Sequence, residues 1–154
     1  MSKLRGCGTF DELWERRLSL QDDGGMVYEI LGIEDLVAAK KTQRDKDWPM
    51  IRRLVDAHYE QFREQSQPAQ VQFWLRESRT PVTLVELAHE FPVQLDQVLP
   101  ERPLLKAARA GQEEILDSML AAEVAEIRRI DRAYWEPLTA ELHELRETKR
   151  NTNL

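Results

Sequence analysis

The apolar positions of this chain change period early in its length. From Phe10 to Leu20 they fall at Leu13, Trp14, Leu18 and Leu20, and then comes Asp22-Asp23-Gly24-Gly25. That cluster supplies the positive φ angles of a tight reversal. Met26-Val27-Tyr28-Glu29-Ile30 follows, short and rich in β-formers. The pattern predicts a hairpin of residues 17–21 and 26–30, with an extra strand near Leu4 to Gly8. A lone hairpin is barely stable in water, so it should pack on helices or on another chain.

From Ile33 the period is helical. Residues 34–42 fit a short helix with Ile33, Leu36 and Val37 on its inner side, interrupted by Arg44-Asp45-Lys46-Asp47. Pro49 sits where a first turn tolerates proline, and Asp47 is placed to accept from the free N–H groups there. Residues 50–63 carry Ile51, Leu54, Val55, His58 and Phe62 on one stripe. Residues 65–68 read as a linker and 69–77 as a helix. Thr83-Leu84-Val85-Glu86 reads as a capping box that starts a helix ending near Phe91-Pro92. Pro100 and Pro103 bracket another break, and Gly111 stops a short helix over 104–110.

The longest periodic feature is the last helix. Leu116, Leu120, Val124, Ile127, Ile130, Tyr134, Leu138, Leu142 and Leu145 stay on one face, at about 100° per residue. Pro137 removes one backbone bond, and since the stripe keeps its phase across it, a kink is expected rather than a stop. A helix of about 35 residues would extend roughly 50 Å. One small domain hardly covers that length, which favours a helix hairpin, a dimer or a hetero-complex. Phe73 and Trp74 are expected to cluster with Tyr134 and Trp135 as core. The fold class is therefore α+β and mainly helical. A short N-terminal hairpin or small sheet packs on helices over 1–64, and a helical region with a long kinked last helix follows over 65–154.

Composition narrows the function classes. The chain has 154 residues, suited to one compact domain or a small domain with a helical extension. Its apolar fraction of 42% and charged fraction of 32% fit many exposed helical faces around modest cores. A net charge of −6 argues against the whole surface being a nucleic-acid footprint. The one cysteine, Cys7, excludes an internal disulfide and points to a reducing compartment. No apolar stretch at the start suits a signal peptide and no run suits a membrane span, so the cytoplasm is the expected location.

Charge is concentrated in one place. Between Lys40 and Arg53 stand six basic residues (Lys40, Lys41, Arg44, Lys46, Arg52, Arg53) and two acidic ones (Asp45, Asp47). That is +4 in a chain of −6, leaving −10 for the remainder. A basic patch at a loop and helix start can hold a phosphate. The alternative is that Arg44 and Lys46 pair with neighbouring carboxylates and the rest is solvated helix face. His58 reads as a satisfied core histidine, and His89 and His143 as isolated, because no second His or Cys lies at metal-ligand spacing. No Ser or Cys has a recognisable base partner.

Residues 27–55, from Val27-Tyr28-Glu29-Ile30-Leu31-Gly32-Ile33-Glu34-Asp35-Leu36-Val37 through Lys40 and Arg44-Asp45-Lys46-Asp47 to Val55, resemble the closing segment of minimal nucleotidyltransferase-like proteins, including toxin–antitoxin relatives. There a last strand leads into a helix, a loop of the Arg-x-Lys-Asp sort and another helix. Phe10 to Arg17 resembles the stretch before that strand, so the likeness covers roughly residues 4–60 and makes 1–64 the remnant of such a domain. The resemblance implies that Lys40, with Lys41 beside it, and Arg44, Lys46 and Asp47 lie at the edge of a nucleotide site. It also implies a Gly-Ser turn and paired aspartates to hold magnesium. This chain has neither: Gly6-Cys7-Gly8-Thr9 lacks the Ser, and Asp22-Asp23 lie in a turn. A strand pattern beginning so near the first residue points to a longer parent sequence.

Turnover by the chain alone is therefore not expected, nor a cofactor; magnesium-nucleotide would enter only if a partner completed the site. The first reading is a noncatalytic nucleotidyltransferase-like protein acting through protein–protein interaction or self-association of its last helix. The alternatives are one half of a split nucleotidyltransferase, whose metal-binding strands come from another chain, and a plain helical oligomerisation module. Nucleotide or nucleic acid contact stays open, and membrane contact is not expected.

Overall fold

A computed structural model describes residues 4–152, with side chains as far as residue 150. The first three residues, part of the start read above for a signal peptide, lie outside it. The elements run α1 (Phe10–Glu15), β1 (Leu18–Gln21), β2 (Val27–Ile30), α2 (Ile33–Lys40), α3 (Asp47–Phe62), α4 (Pro68–Glu77), α5 (Pro81–Glu90), α6 (Pro92–Val98), α7 (Leu105–Arg109) and α8 (Glu113–Thr152). A 3₁₀ turn, Arg63–Gln65, joins α3 to α4. The chain is α+β and mainly helical, with a two-stranded antiparallel hairpin near its start and a long last helix.

The extra strand is not formed. Leu4 to Gly8 makes a turn closed by Cys7 N–H donating to Leu4 C=O at 3.2 Å, with Gly6 at φ +76. The Thr–x–x–Glu capping box forms at the first helix and not at Thr83. Thr9 and Glu12 form the capping box of α1, with Thr9 N–H donating to Glu12 Oε2 at 2.6 Å and Glu12 N–H to Thr9 Oγ1 at 3.4 Å. Thr83 instead lies buried inside α5, which starts at Pro81, and Glu86 accepts from the Tyr59 hydroxyl at 3.2 Å. A proline pre-set for the first helical turn moved that start forward. The same effect starts α3 at Asp47, so Asp47 belongs to the helix and does not cap it. The expected break at Phe91-Pro92 is a junction, since Pro92 opens α6 at once.

β1 and β2 pair with Leu18 opposite Ile30 and Leu20 opposite Tyr28, which puts four apolar residues on one face. Asp22 closes the turn: its carboxylate accepts from Met26 N–H at 2.9 Å and from the Tyr28 hydroxyl at 3.1 Å, and Gly25 takes φ +83. These bonds, Met26 first, hold the Asp22 carboxyl below its usual range. Every strand residue is exposed. At the base of the hairpin Ile30 and Leu31 line a small groove with Leu13 and Trp14 of α1.

One core joins the helices. Val37 of α2, Ile51, Val55 and Tyr59 of α3, Val71, Phe73, Trp74 and Leu75 of α4, Leu84 and Leu87 of α5, Leu95 and Val98 of α6, Leu105 of α7 and Leu116 and Leu120 of α8 are all buried in it. Trp74 is the largest fully buried side chain. Its indole N–H donates to His58 Nδ1 at 2.8 Å, and Tyr59 meets its ring edge-on at 5.2 Å. His58 is thus a satisfied core histidine, which burial pushes below its usual pKa. Phe73 and Trp74 do not cluster with Tyr134 and Trp135. Those two pack against each other on the distal part of α8, where both are exposed. The core ends with Leu120 and the partly buried Val124 and Ile127, so later residues of the stripe are carried past it. α8 stays helical across Pro137.

Candidate functional site

The residues flagged as a nucleotide-site edge converge on the loop between α2 and α3, and their charges are used inside it. Asp47 is 2% exposed. Its Oδ2 accepts from the Thr42 hydroxyl at 2.5 Å and from Arg44 Nε at 2.9 Å, and Lys40 Nζ stands 4.0 Å from Oδ1. Burial works to raise the Asp47 pKa, but the Thr42 bond and the Arg44 and Lys40 charges hold the carboxyl below its usual range. Its place in the first turn of α3 also suits a negative charge. Lys41 reaches across to Glu77 of α4 at 2.6 Å. Among the described residues Lys46 is the one member of this set of cations with no carboxylate partner; it is exposed.

α8 clamps the loop from the other side. Asp131, 2% exposed, accepts from Gln43 N–H at 2.7 Å and from the Arg5 guanidinium. Arg128 Nε donates to Gln43 C=O at 3.2 Å and its guanidinium pairs with Asp45. Arg5 also lies over the Tyr134 ring at 5.1 Å. Two charged residues three apart on α8 therefore hold both the loop and the N-terminal segment. Nothing in the residue pattern signals this, because Asp131 interrupts an apolar stripe and looks like a solvated residue.

A buried ion cluster was also missed. Arg102, 4% exposed, donates to Leu75 C=O at 2.8 Å, to Ser78 C=O at 2.9 Å, and through Nε and Nη2 to Glu123 at 3.1 and 2.9 Å. Arg79 pairs with the same Glu123 and lies 3.9 Å from Glu77. Burial pushes the Arg102 pKa down to about 9, with Arg79 adding to the effect, and pushes Arg79 down as well. Arg102 remains charged at neutral pH. A sequence signal existed: Arg79 stands just before the proline-started α5, Arg102 just before Pro103, and Glu123 lies on the stripe side of α8.

The remaining feature is the distal part of α8. Ile130, Tyr134, Trp135, Leu138, Leu142 and Leu145 are 39–59% exposed, and every described side chain from Arg132 to Arg150 is exposed. No group of three or more His, Cys, Asp or Glu among the described residues is placed to hold a metal ion. No helix among them is long and apolar enough to cross a membrane. Comparison with family models, with curated proteins and with solved structures found no match.

Proposed function

We propose that this chain acts by binding another polypeptide, a partner or a second copy of itself, through the distal half of α8. It would be a noncatalytic relative of the minimal nucleotidyltransferase-like proteins. The observation that carries the reading is the apolar stripe from Ile130 to Leu145 on a helix that has left the core. α8 has 40 residues, about 60 Å of helix, and its own fold covers little beyond the first half. An isolated helix gains little from propensity alone, and most helical stability comes from packing an apolar face. Contiguous exposed apolar surface of this kind marks interaction sites, and a helix offering anchors at i, i+4 and i+8 is a common form of them.

The split-enzyme reading asks Lys40 and Lys46 to meet nucleotide phosphates. Asp47 and Glu77 already engage Lys40, Lys41 and Arg44, leaving Lys46. The reading by binding therefore fits better, and it predicts no magnesium-dependent NTP turnover by the purified chain. Its direct test is affinity capture from the native host with the full chain and with the Leu138→Glu, Leu142→Glu variant as baits. A co-purifying protein, or a differently tagged copy of the chain, should be held by the first bait and lost by the second. Equal capture by both would overturn the reading.

A further inference from the structure

We propose that the groove between α3 and α8 binds a small organic phosphate, its oxyanion held by Arg52, Arg79 and Arg128 and its apolar part by the groove floor. The groove, about 490 Å³, is lined by Trp48 and Pro49 in the first turn of α3, by Arg52 and Arg79, and by Leu120, Ala121, Val124, Ala125 and Arg128 of α8. Three guanidinium groups and no carboxylate line it, in a chain whose net charge is −6. This site is separate from the Lys40–Asp47 loop and does not depend on the protein-binding reading.

Two observations beyond the lining point to an anion. Arg79 is more than nine-tenths buried, yet its Nε–H has no hydrogen-bond partner. A buried donor left unpaired is costly, and an incoming oxygen relieves it. The buried cluster behind it is also out of balance. Lys41, Arg79 and Arg102 are matched by Glu77 and Glu123 alone, leaving one excess positive charge where desolvation makes it expensive. Glu77 Oε2 is likewise buried without a hydrogen bond; it stands 3.9 Å from Arg79 Nη2 while Oε1 takes Lys41, and Glu77 does not line the groove.

The outer two arginines keep donors to spare. Arg52 uses Nε on Thr80 Oγ1 at 3.1 Å with Asp56 3.6 Å from the same atom, and Arg128 uses Nε on Gln43 C=O and Nη2 on Asp45, which leaves the Arg52 Nη groups and Arg128 Nη1 for a ligand. Arginine forks suit phosphate oxygens. The first turn of the 16-residue α3, at Trp48 and Pro49, adds the positive end of its dipole on the same side. Leu120 and Val124 give the floor its apolar character, so an organic phosphate should bind better than the bare ion.

The test is titration of the full chain with phenyl phosphate and with inorganic phosphate at low salt, read by calorimetry and by the fluorescence change of the chain. The expected result is saturable phenyl phosphate binding, several-fold tighter than inorganic phosphate and weakening as salt is raised. Arg52→Gln and Arg128→Gln should each weaken it about three- to ten-fold. Because Arg79 is built into the core, the blocking variant is Ala125→Glu, an exposed position, which should abolish binding while leaving the melting temperature near the original. Absence of saturable binding, or binding equal in all three variants, would overturn the proposal. Equal affinity for the two probes would overturn the apolar subsite.

Discussion

At the scale of single residues, the charged groups that matter most are those the fold has buried. Arg102 satisfies two backbone carbonyls and the Glu123 carboxylate at once. Arg102→Leu should cost about 3 kcal/mol or more in urea unfolding, because it leaves those acceptors unpaired. Arg76→Ala removes an exposed pair with Glu101 and should change stability by less than about 1 kcal/mol. The loop obeys the same rule: Asp47→Ala, which strands Thr42, Arg44 and Lys40, should cost about 2 kcal/mol, against about 0.5 or less for Lys46→Ala. His58 adds a pH dependence. Burial holds its folded pKa below the unfolded value, so as pH falls the unfolded chain takes up the proton first. Stability is then complete above about pH 6.5 and declines as pH drops from there through the lowered folded value. His58→Phe should flatten that decline while costing about 1 kcal/mol at pH 7 for the orphaned Trp74 N–H, which unfolding curves at a series of pH values would show.

At the scale of elements, periodicity was legible and charge pairing was not. The hairpin, the α3 stripe and the α8 stripe follow from apolar spacing, because burying one face is what makes those elements. Helix starts were less legible: three of them were shifted by Asp47 and by prolines at 81 and 92, residues that read equally as breaks or as first turns. Asp131 and Arg102 could not be placed, since a charge inside an apolar pattern has no partner until the chain is folded. α8 combines both cases. Its first half packs through Leu116 and Leu120, and its second half repeats the same spacing outside that core, with Arg5 over the Tyr134 ring. Replacing Leu138 and Leu142 with Glu should therefore leave the unfolding free energy of the body within about 0.5 kcal/mol of the original. A core role for either residue would cost several times more.

At the scale of the whole molecule, one core runs from Val37 to Leu120, across residue 64, with a hairpin at one margin and a helical arm at another. The nucleotide-site edge expected from a resemblance to nucleotidyltransferase-like proteins would fall on the loop that α8 holds through Gln43; the arm lies beyond it. The proposed binding function lies on the arm. Its most direct test is photo-cross-linking in living host cells, with a photoreactive amino acid in place of Leu138 on the stripe or of Glu136, about 160° round the helix from it. A discrete cross-linked species is expected from the Leu138 position and little from Glu136. No adduct at Leu138, or the same adducts from both positions, would contradict it.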